Sequence, residues 1–341
     1  MTTLKCVIWD LDETFWRGTL AEGDRVTPDP AAVGLADRLE RAGVVQSIAS
    51  RNDRDQAERR LAELGLADRF VHTEISWSAK SAAVRRIVAE LNIGPDTVVF
   101  LDDSEFERAE VGAGNPGVRC HTLAEFLALD DEHGLVPADV TSDAARRPAM
   151  YRDEERRRTA EAEFDGPPGE FLASLEMVLT VRTATRADLA RAAELTKRTN
   201  QLNTTGTTYA VEELAALGDR PDHQVLIAEL TDRFGDYGRV GLTVLRREPG
   251  VWTVDLLLVS CRVMGRNTGV ALLGVLAQRA GAHGATLRVR HVPNGRNRQM
   301  RIVCSMLGFQ PVPGDGPDVV LEHRTPGSVT VPDYLKLGEA S

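Results

Sequence analysis

Within the first 110 residues, short apolar runs alternate with stretches of helical period, and the runs stop on polar residues able to do chemistry. Strands are expected at residues 6–10, 44–50, 69–72 and 98–101, and helices at 30–42, 53–64, 81–91 and 106–111. That alternation predicts an α/β domain with a parallel sheet and helices on both faces. Sheets of this kind hold ligands at the carboxyl ends of their strands. Asp10-Leu11-Asp12-Glu13-Thr14 leaves the first run, Ser50 ends the second, Lys80 opens the third helix, and Asp102-Asp103 follows residues 98–101.

Residues two apart on an extended chain point the same way. Asp10 can therefore attack a phosphorus or ligate a metal while Asp12 handles a proton nearby. Thr14 can hydrogen-bond the backbone and fix the turn. Asp10 and Asp102 suit magnesium, a hard cation that favours carboxylate oxygens, and Asp103 is a second ligand or an orienter. Ser50 and Lys80 would hold phosphate oxygens, the lysine as a point charge. In kind and order these pieces resemble the haloacid-dehalogenase-like (HAD) phosphatases. Thr14 and Ser50 are separated by 35 residues and Ser50 and Lys80 by 29, each interval already filled by core elements, so no large cap fits. Such a site is open to large substrates or roofed by another part of the molecule.

At 341 residues the chain is long enough for about two domains. Its 42% hydrophobic and 27% charged residues are a globular balance. Cys6, Cys120, Cys261 and Cys304 lack CxxC spacing, which predicts neither a zinc site nor a disulfide framework and fits a reducing cytoplasm. No leader precedes the first strand and no apolar run approaches the ~18 residues that span a bilayer, so no membrane association is expected. The net charge of -10 argues against nucleic acid as a partner. Composition divides the chain into a phosphatase-like domain at 1–140, a charged helical linker at 141–176 that includes Pro167-Pro168-Gly169, and a second domain at 177–330.

In the second domain, strands are expected at 178–183, 224–230, 238–246, 252–259 and 286–290, and helices at 186–199, 268–280 and 297–307. With Arg262-x-x-Gly265 between a strand and a helix, this order resembles GNAT acetyltransferases, whose corresponding loop and helix N-terminus cradle the pyrophosphate of coenzyme A. Asn267 stands where that pattern wants Gly or Ala, so a single phosphate, as at the root of a phosphopantetheine arm, is the better fit. Cys261 lies just before the loop, where Arg262, Arg266 and the helix N-terminus are expected to activate its thiol as a nucleophile. Residues 260–301 hold eight arginines and no Asp, Glu or Lys, an asymmetry that suggests a docking face for an acidic or phosphorylated partner.

Taken together, residues 5–12, Ser50-Arg51-Asn52-Asp53, Leu101-Asp102-Asp103-Ser104, residues 195–201 and residues 260–266 resemble the FkbH-like family over nearly the whole chain. The resemblance implies a HAD-type phosphatase fused to a GNAT-like domain. It implies loading of a glyceryl unit from 1,3-bisphosphoglycerate, or a related acyl phosphate, onto an acyl carrier protein for polyketide-type biosynthesis. Under it Asp10, Asp12 and Cys261 are catalytic, and Asp10, Asp12, Asp102 and Asp103 hold Mg2+. Thr14, Ser50, Arg51, Asn52 and Lys80 bind phosphate, and Arg262, Gly265, Arg266 and Asn297 receive the pantetheine or its carrier. Cys6 is the rival nucleophile, and His291 is a weaker candidate for positioning the arm. Glu13 and Phe15 replace the family's frequent Asn and Leu. A stand-alone magnesium phosphatase with a partner-binding second domain is the alternative.

Overall fold

A computed structural model of the chain describes residues 4–138, 145–199, 201–313 and 318–339. It forms two compact units, Met1–Ala162 and Glu163–Ser341.

The first unit runs β1 (Cys6–Trp9), β2 (Trp16–Arg17), β3 (Thr27–Pro28), α1 (Pro30–Arg41), β4 (Val45–Ser50), α2 (Arg54–Glu63) and β5 (Glu74–Ile75). It continues with α3 (Lys80–Leu91), β6 (Val98–Leu101), α4 (Glu105–Gly114), β7 (Arg119–His121), α5 (Leu123–His133) and α6 (Arg147–Ala162). Five strands make a parallel sheet in the order β5-β4-β1-β6-β7, with Cys6 of the central strand level with Val45 on one side and Val98 on the other. Every residue of β1, β4 and β6 is buried, which is why β1 and β6 are apolar without alternation, while β4 buries Gln46, Ser47 and Ser50 among its apolar residues. Trp9, Leu35, Leu61 and Phe126 pack in one apolar layer, and Ile8, Val84, Phe100 and Val111 in another. Helix starts follow local chemistry, since Asp29, Asp53, Ser104 and Thr122 each accept main-chain N–H groups of the helix they precede. Between β1 and β4 lie only the β2–β3 ribbon, one 3₁₀ turn and α1, so no cap domain is inserted there.

The strand expected at 69–72 is displaced. Val71 still donates to Gln46 O at 2.9 Å, but His72 takes a left-handed φ of 50°, which interrupts the extended run, and pairing resumes only in β5. Strand β7 and helix α5 lie in a part-exposed, charged stretch that carries no clear period and were not expected.

The expected boundary at 140/141 falls outside the described residues. The charged stretch after it does not stand free as a linker, because α6 is part of the first unit. Tyr151 Oη donates to Leu91 O at 2.9 Å and Arg147 Nη1 to Gly43 O at 3.1 Å, while Arg152 meets Glu40 at 2.8 Å and Arg158 meets Glu90 at 2.7 Å. Its charges are contacts rather than solvated decoration.

The second unit runs α7 (Pro168–Ser174), β8 (Met177–Thr183), α8 (Leu189–Arg198), α9 (Val211–Gly218), β9 (His223–Asp232), β10 (Gly235–Glu248) and β11 (Val251–Val259). Then come α10 (Thr268–Ala282), β12 (Thr286–His291), α11 (Arg298–Met306), β13 (Gln310–Val312), β14 (Val319–His323) and β15 (Leu335–Leu337). These strands form one sheet in the order β13-β14-β12-β11-β10-β9-β8-β15. Neighbours are antiparallel except β11 with β12 and β15 with β8. Strand β15 carries the unit beyond the expected limit of 330. Residues of α8 and α9 share an apolar core with Ile227, Leu242 and Leu256 of the sheet. Helix α10 comes so near the sheet at Gly241 that a Cβ there would lie 3.1 Å from Leu272 Cδ2 and 2.9 Å from Ala228 Cβ. Among the described residues, no helix is long and apolar enough to cross a membrane.

Candidate active site

The chemical groups of the first unit gather at the carboxyl ends of β1, β4 and β6. Asp10 N donates to Leu101 O at 2.9 Å and Asp102 N to His121 O at 3.1 Å, which fixes both residues just past the last paired residues of their strands. Lys80, the first residue of α3, is buried and joins them: Nζ lies 2.8 Å from Asp10 Oδ1 and 2.7 Å from Asp102 Oδ2. Asp10, Asp102 and Asp103 each offer an oxygen within 4.8 Å of the others, the first two buried and the third exposed.

Two buried carboxylates against one ammonium leave negative charge uncompensated. Burial pushes the Asp10 carboxyl up; Lys80 pulls it down, Asp102 pushes it further up, and the net direction is upward. Asp102 is raised by the same desolvation against the same pull of Lys80. Burial would lower the Lys80 ammonium, but the two carboxylates outweigh it and raise its pKa, so it stays charged. An all-oxygen cluster with excess negative charge fits a hard divalent cation.

The Asp12 carboxylate stands apart from that cluster. Its Oδ1 accepts Trp16 Nε1 at 2.7 Å and Leu20 N at 3.1 Å, and its Oδ2 accepts Asn52 Nδ2 at 2.9 Å. Asn52 also donates to Ser50 Oγ at 3.2 Å, and Ser50 in turn hydrogen-bonds Asp10. Asn52 thus links Asp12 to Ser50. Trp16 and the Leu20 amide were missed because their contacts depend on the β2–β3 ribbon. Thr14 Oγ1 accepts Asp103 N at 2.9 Å, so it ties the loop after β1 to the loop after β6 rather than bonding within its own turn. Arg51 pairs with Glu107 at 3.0 Å. Glu13 sits at φ 53° and accepts Gly18 N at 2.8 Å; a left-handed position suits Asn better than Glu.

In the second unit Cys261 is the exposed one of the four cysteines, on a 3₁₀ turn at the end of β11. Cys6 is sealed in the first sheet, and burial pushes its thiol far up, which disfavours it as a nucleophile. Two residues expected to receive pantetheine are turned to other uses. Arg266 is buried, with its guanidinium carbon 5.6 Å from the centre of the Phe171 ring. Asn297 is buried and donates through Nδ2 to Val292 O at 2.9 Å and Thr204 O at 3.3 Å. His291 is buried as well, and desolvation lowers its pKa. Gly265 at φ 86° and Asn267 at φ 53° shape the loop, and Asn267 Nδ2 donates to Tyr334 Oη. Arg262 is exposed beside Cys261.

Strands β11 and β12 pair only over 251–254 and 286–289, and beyond that point the chain itself fills the opening. Thr204 N donates to Leu257 O at 2.9 Å, its Oγ1 accepts Leu257 N at 3.0 Å, and its carbonyl accepts Val292 N at 2.9 Å. Leu202 O accepts Val259 N at 2.8 Å. The N–H and carbonyl of Leu257 and the N–H of Val259, which an extended arm could use along this edge of β11, are already paired. Asn200, within the 195–201 motif, lies outside the described residues.

No protein-family model matches the chain, and no curated protein matches it. Among solved structures the chain is similar to the N-terminal part of a Bacteroides fragilis protein containing a phosphatase domain, complexed with Mg. That match has 25% identity and a TM-score of 0.36 and covers 40% of this chain and 41% of that one. It is similar to the ribosomal-protein-S18-alanine N-acetyltransferase from Escherichia coli at 16% identity and a TM-score of 0.33, over 42% of this chain and 90% of that one. A third similarity is to the GNAT domain of S. lividans PAT, at 18% identity and a TM-score of 0.34, over 42% and 88%.

Proposed function

We propose that the chain is a magnesium-dependent phosphatase joined to an acyl transferase, which takes a glyceryl unit from 1,3-bisphosphoglycerate, or a related acyl phosphate, and delivers it to an acyl carrier protein. The observation that carries the phosphatase half is the buried Lys80 bridging Asp10 and Asp102, with Asp103 beside them at the strand ends. Mg2+ held by Asp10, Asp102 and Asp103 would neutralise these carboxylates and the phosphate drawn against them. An Asp10 oxygen attacks phosphorus and the bond to the leaving oxygen breaks, while Asp12 gives that oxygen its proton. Asp12 then takes a proton from water, whose oxygen attacks the aspartyl phosphate, releasing inorganic phosphate and restoring the Asp10 carboxylate. Lys80 and Ser50 orient the phosphate oxygens.

Exposure of Cys261, against the burial of Cys6, supports the transfer half. Its thiolate attacks the acyl-phosphate carbonyl and expels phosphate; the carrier's pantetheine thiolate then displaces it by thioester exchange. Inward-turned Arg266 and Asn297, and the occupied edge of β11, favour a second reading. In that reading the second unit only recruits a phosphorylated partner.

Intact-mass analysis of protein mixed with 1,3-bisphosphoglycerate, magnesium and a pantetheinylated carrier separates the two. A glyceryl adduct on carrier, lost in Cys261→Ala, is the expected result. Phosphate release without an adduct on either protein, unchanged by Cys261→Ala, establishes the second reading. Asp10→Asn should lower phosphate release by at least roughly 1000-fold.

A further inference from the structure

The arginines of residues 260–301 do not act alike once folded. Arg288 Nε pairs with Glu322 at 2.8 Å and Arg290 Nε with Asp318 at 2.6 Å, so the strand arginines are neutralised. Arg279 donates to Val181 O at 2.8 Å, and Arg266 is buried against Phe171. Arg296, Arg298 and Arg301 are exposed, and among the described residues none meets an acidic side chain. Two of them lie on α11, whose inner face buries Met300 and Cys304. Its outer face carries Arg298, Arg301, Ile302 and Met306, the last two exposed by 48% and 75%. Residues 298, 302 and 306 are spaced four apart and so share one stripe. A cationic rim beside an apolar stripe is complementary to an amphipathic helix with acidic flanks.

The chain just before this helix is tied to the end of β11. Leu202 bonds Val259, two residues before Cys261, and Thr204 bonds Asn297, one residue before α11. Three residues of one short segment therefore link the Cys261 turn to the start of the helix.

We propose that the outer face of α11 is the docking surface for the carrier protein, an acidic helical partner whose apolar ridge covers Ile302 and Met306 while its carboxylates face Arg298 and Arg301. The inference rests on the carrier-loading reading above. Docking there brings the carrier's thiol arm to Cys261 from outside the sheet, without the occupied edge of β11.

The test compares wild type with the Arg298→Glu/Arg301→Glu double variant and with Ile302→Ser, using a pantetheinylated acyl carrier protein and, separately, free pantetheine as acceptors. Both variants should raise KM for the carrier, the double variant by about tenfold or more, with transfer to free pantetheine unchanged. Wild-type KM for the carrier should rise with salt, and the double variant should flatten that dependence. Unaltered carrier kinetics in both variants overturn the proposal, as does equal loss with both acceptors. Direct binding of the carrier without substrate reads the surface independently of chemistry. If wild type binds carrier and the double variant does not, yet no acyl transfer occurs, the docking face stands and the transfer reading fails. Retention by duplex DNA but not by carrier would overturn the docking face.

Discussion

At the scale of single residues, the first site is a problem of charge. The unfolded chain gives up the Asp10 proton near the ordinary carboxylate pKa of about 4. The ion-free folded protein keeps it to a higher pH, because burial raises the Asp10 carboxyl. A pKa raised on folding contributes stability that is full below the unfolded value and lost as pH rises through the folded one. Ion-free wild type should therefore lose denaturant resistance as pH climbs above about 4, and added magnesium should restore it. Asp10→Asn should flatten that slope in urea titrations at pH 5 and pH 8; an unchanged slope would show that Asp10 does not carry the proton. Asn52 offers a second check. Removing the amide that holds Asp12 Oδ2 at 2.9 Å should lower kcat by roughly 10–100-fold with little change in KM. A raised KM with kcat unchanged would instead assign Asn52 to substrate binding.

At the scale of elements, the strand ends were legible because chemistry and position coincide: Asp10 and Asp102 each follow a fully buried apolar run, and Ser50 closes a fully buried strand. The 310–312, 319–323 and 335–337 strands were not, since they are short, lie toward the sheet's outer edges and alternate only weakly. Nor could the hydrogen bonds of Asn297 be read, because its partners at Thr204 and Val292 depend on where β11 and β12 diverge. Asn297→Ala should destabilise the second unit by about 1–3 kcal/mol, by leaving buried carbonyls under-satisfied. A shift within error in its denaturant midpoint would remove Asn297 from the structural account. The start of α8 is held by charge. Burial alone would raise Asp188, but hydrogen bonds from Arg182, Thr185 and Arg239 outweigh it and hold the carboxyl well below the usual range. A lowered folded pKa gives stability that is present above about pH 4 and fades as pH falls. Asp188→Asn should thus lower the thermal midpoint at pH 7 and approach wild type in acid; a constant gap across pH would show that the carboxylate's charge is irrelevant.

At the scale of the whole molecule, the division falls after α6 rather than before it. A chain ended at 140 loses the contacts of Tyr151, Arg147 and Arg152 with the first sheet's helices and turns, whereas one ended at 162 keeps them. The longer fragment should unfold at the higher temperature by calorimetry and retain magnesium-dependent phosphate release, and equal midpoints would make α6 dispensable. Strand β15 has a consequence of another kind. By pairing with 177–179 of β8 it closes a flank of the second sheet that would otherwise offer bare amides and carbonyls to a neighbouring molecule. Stripping those few residues away should cost the burial of Leu335 and, beyond it, much of the molecule's reluctance to stack into fibres at high concentration.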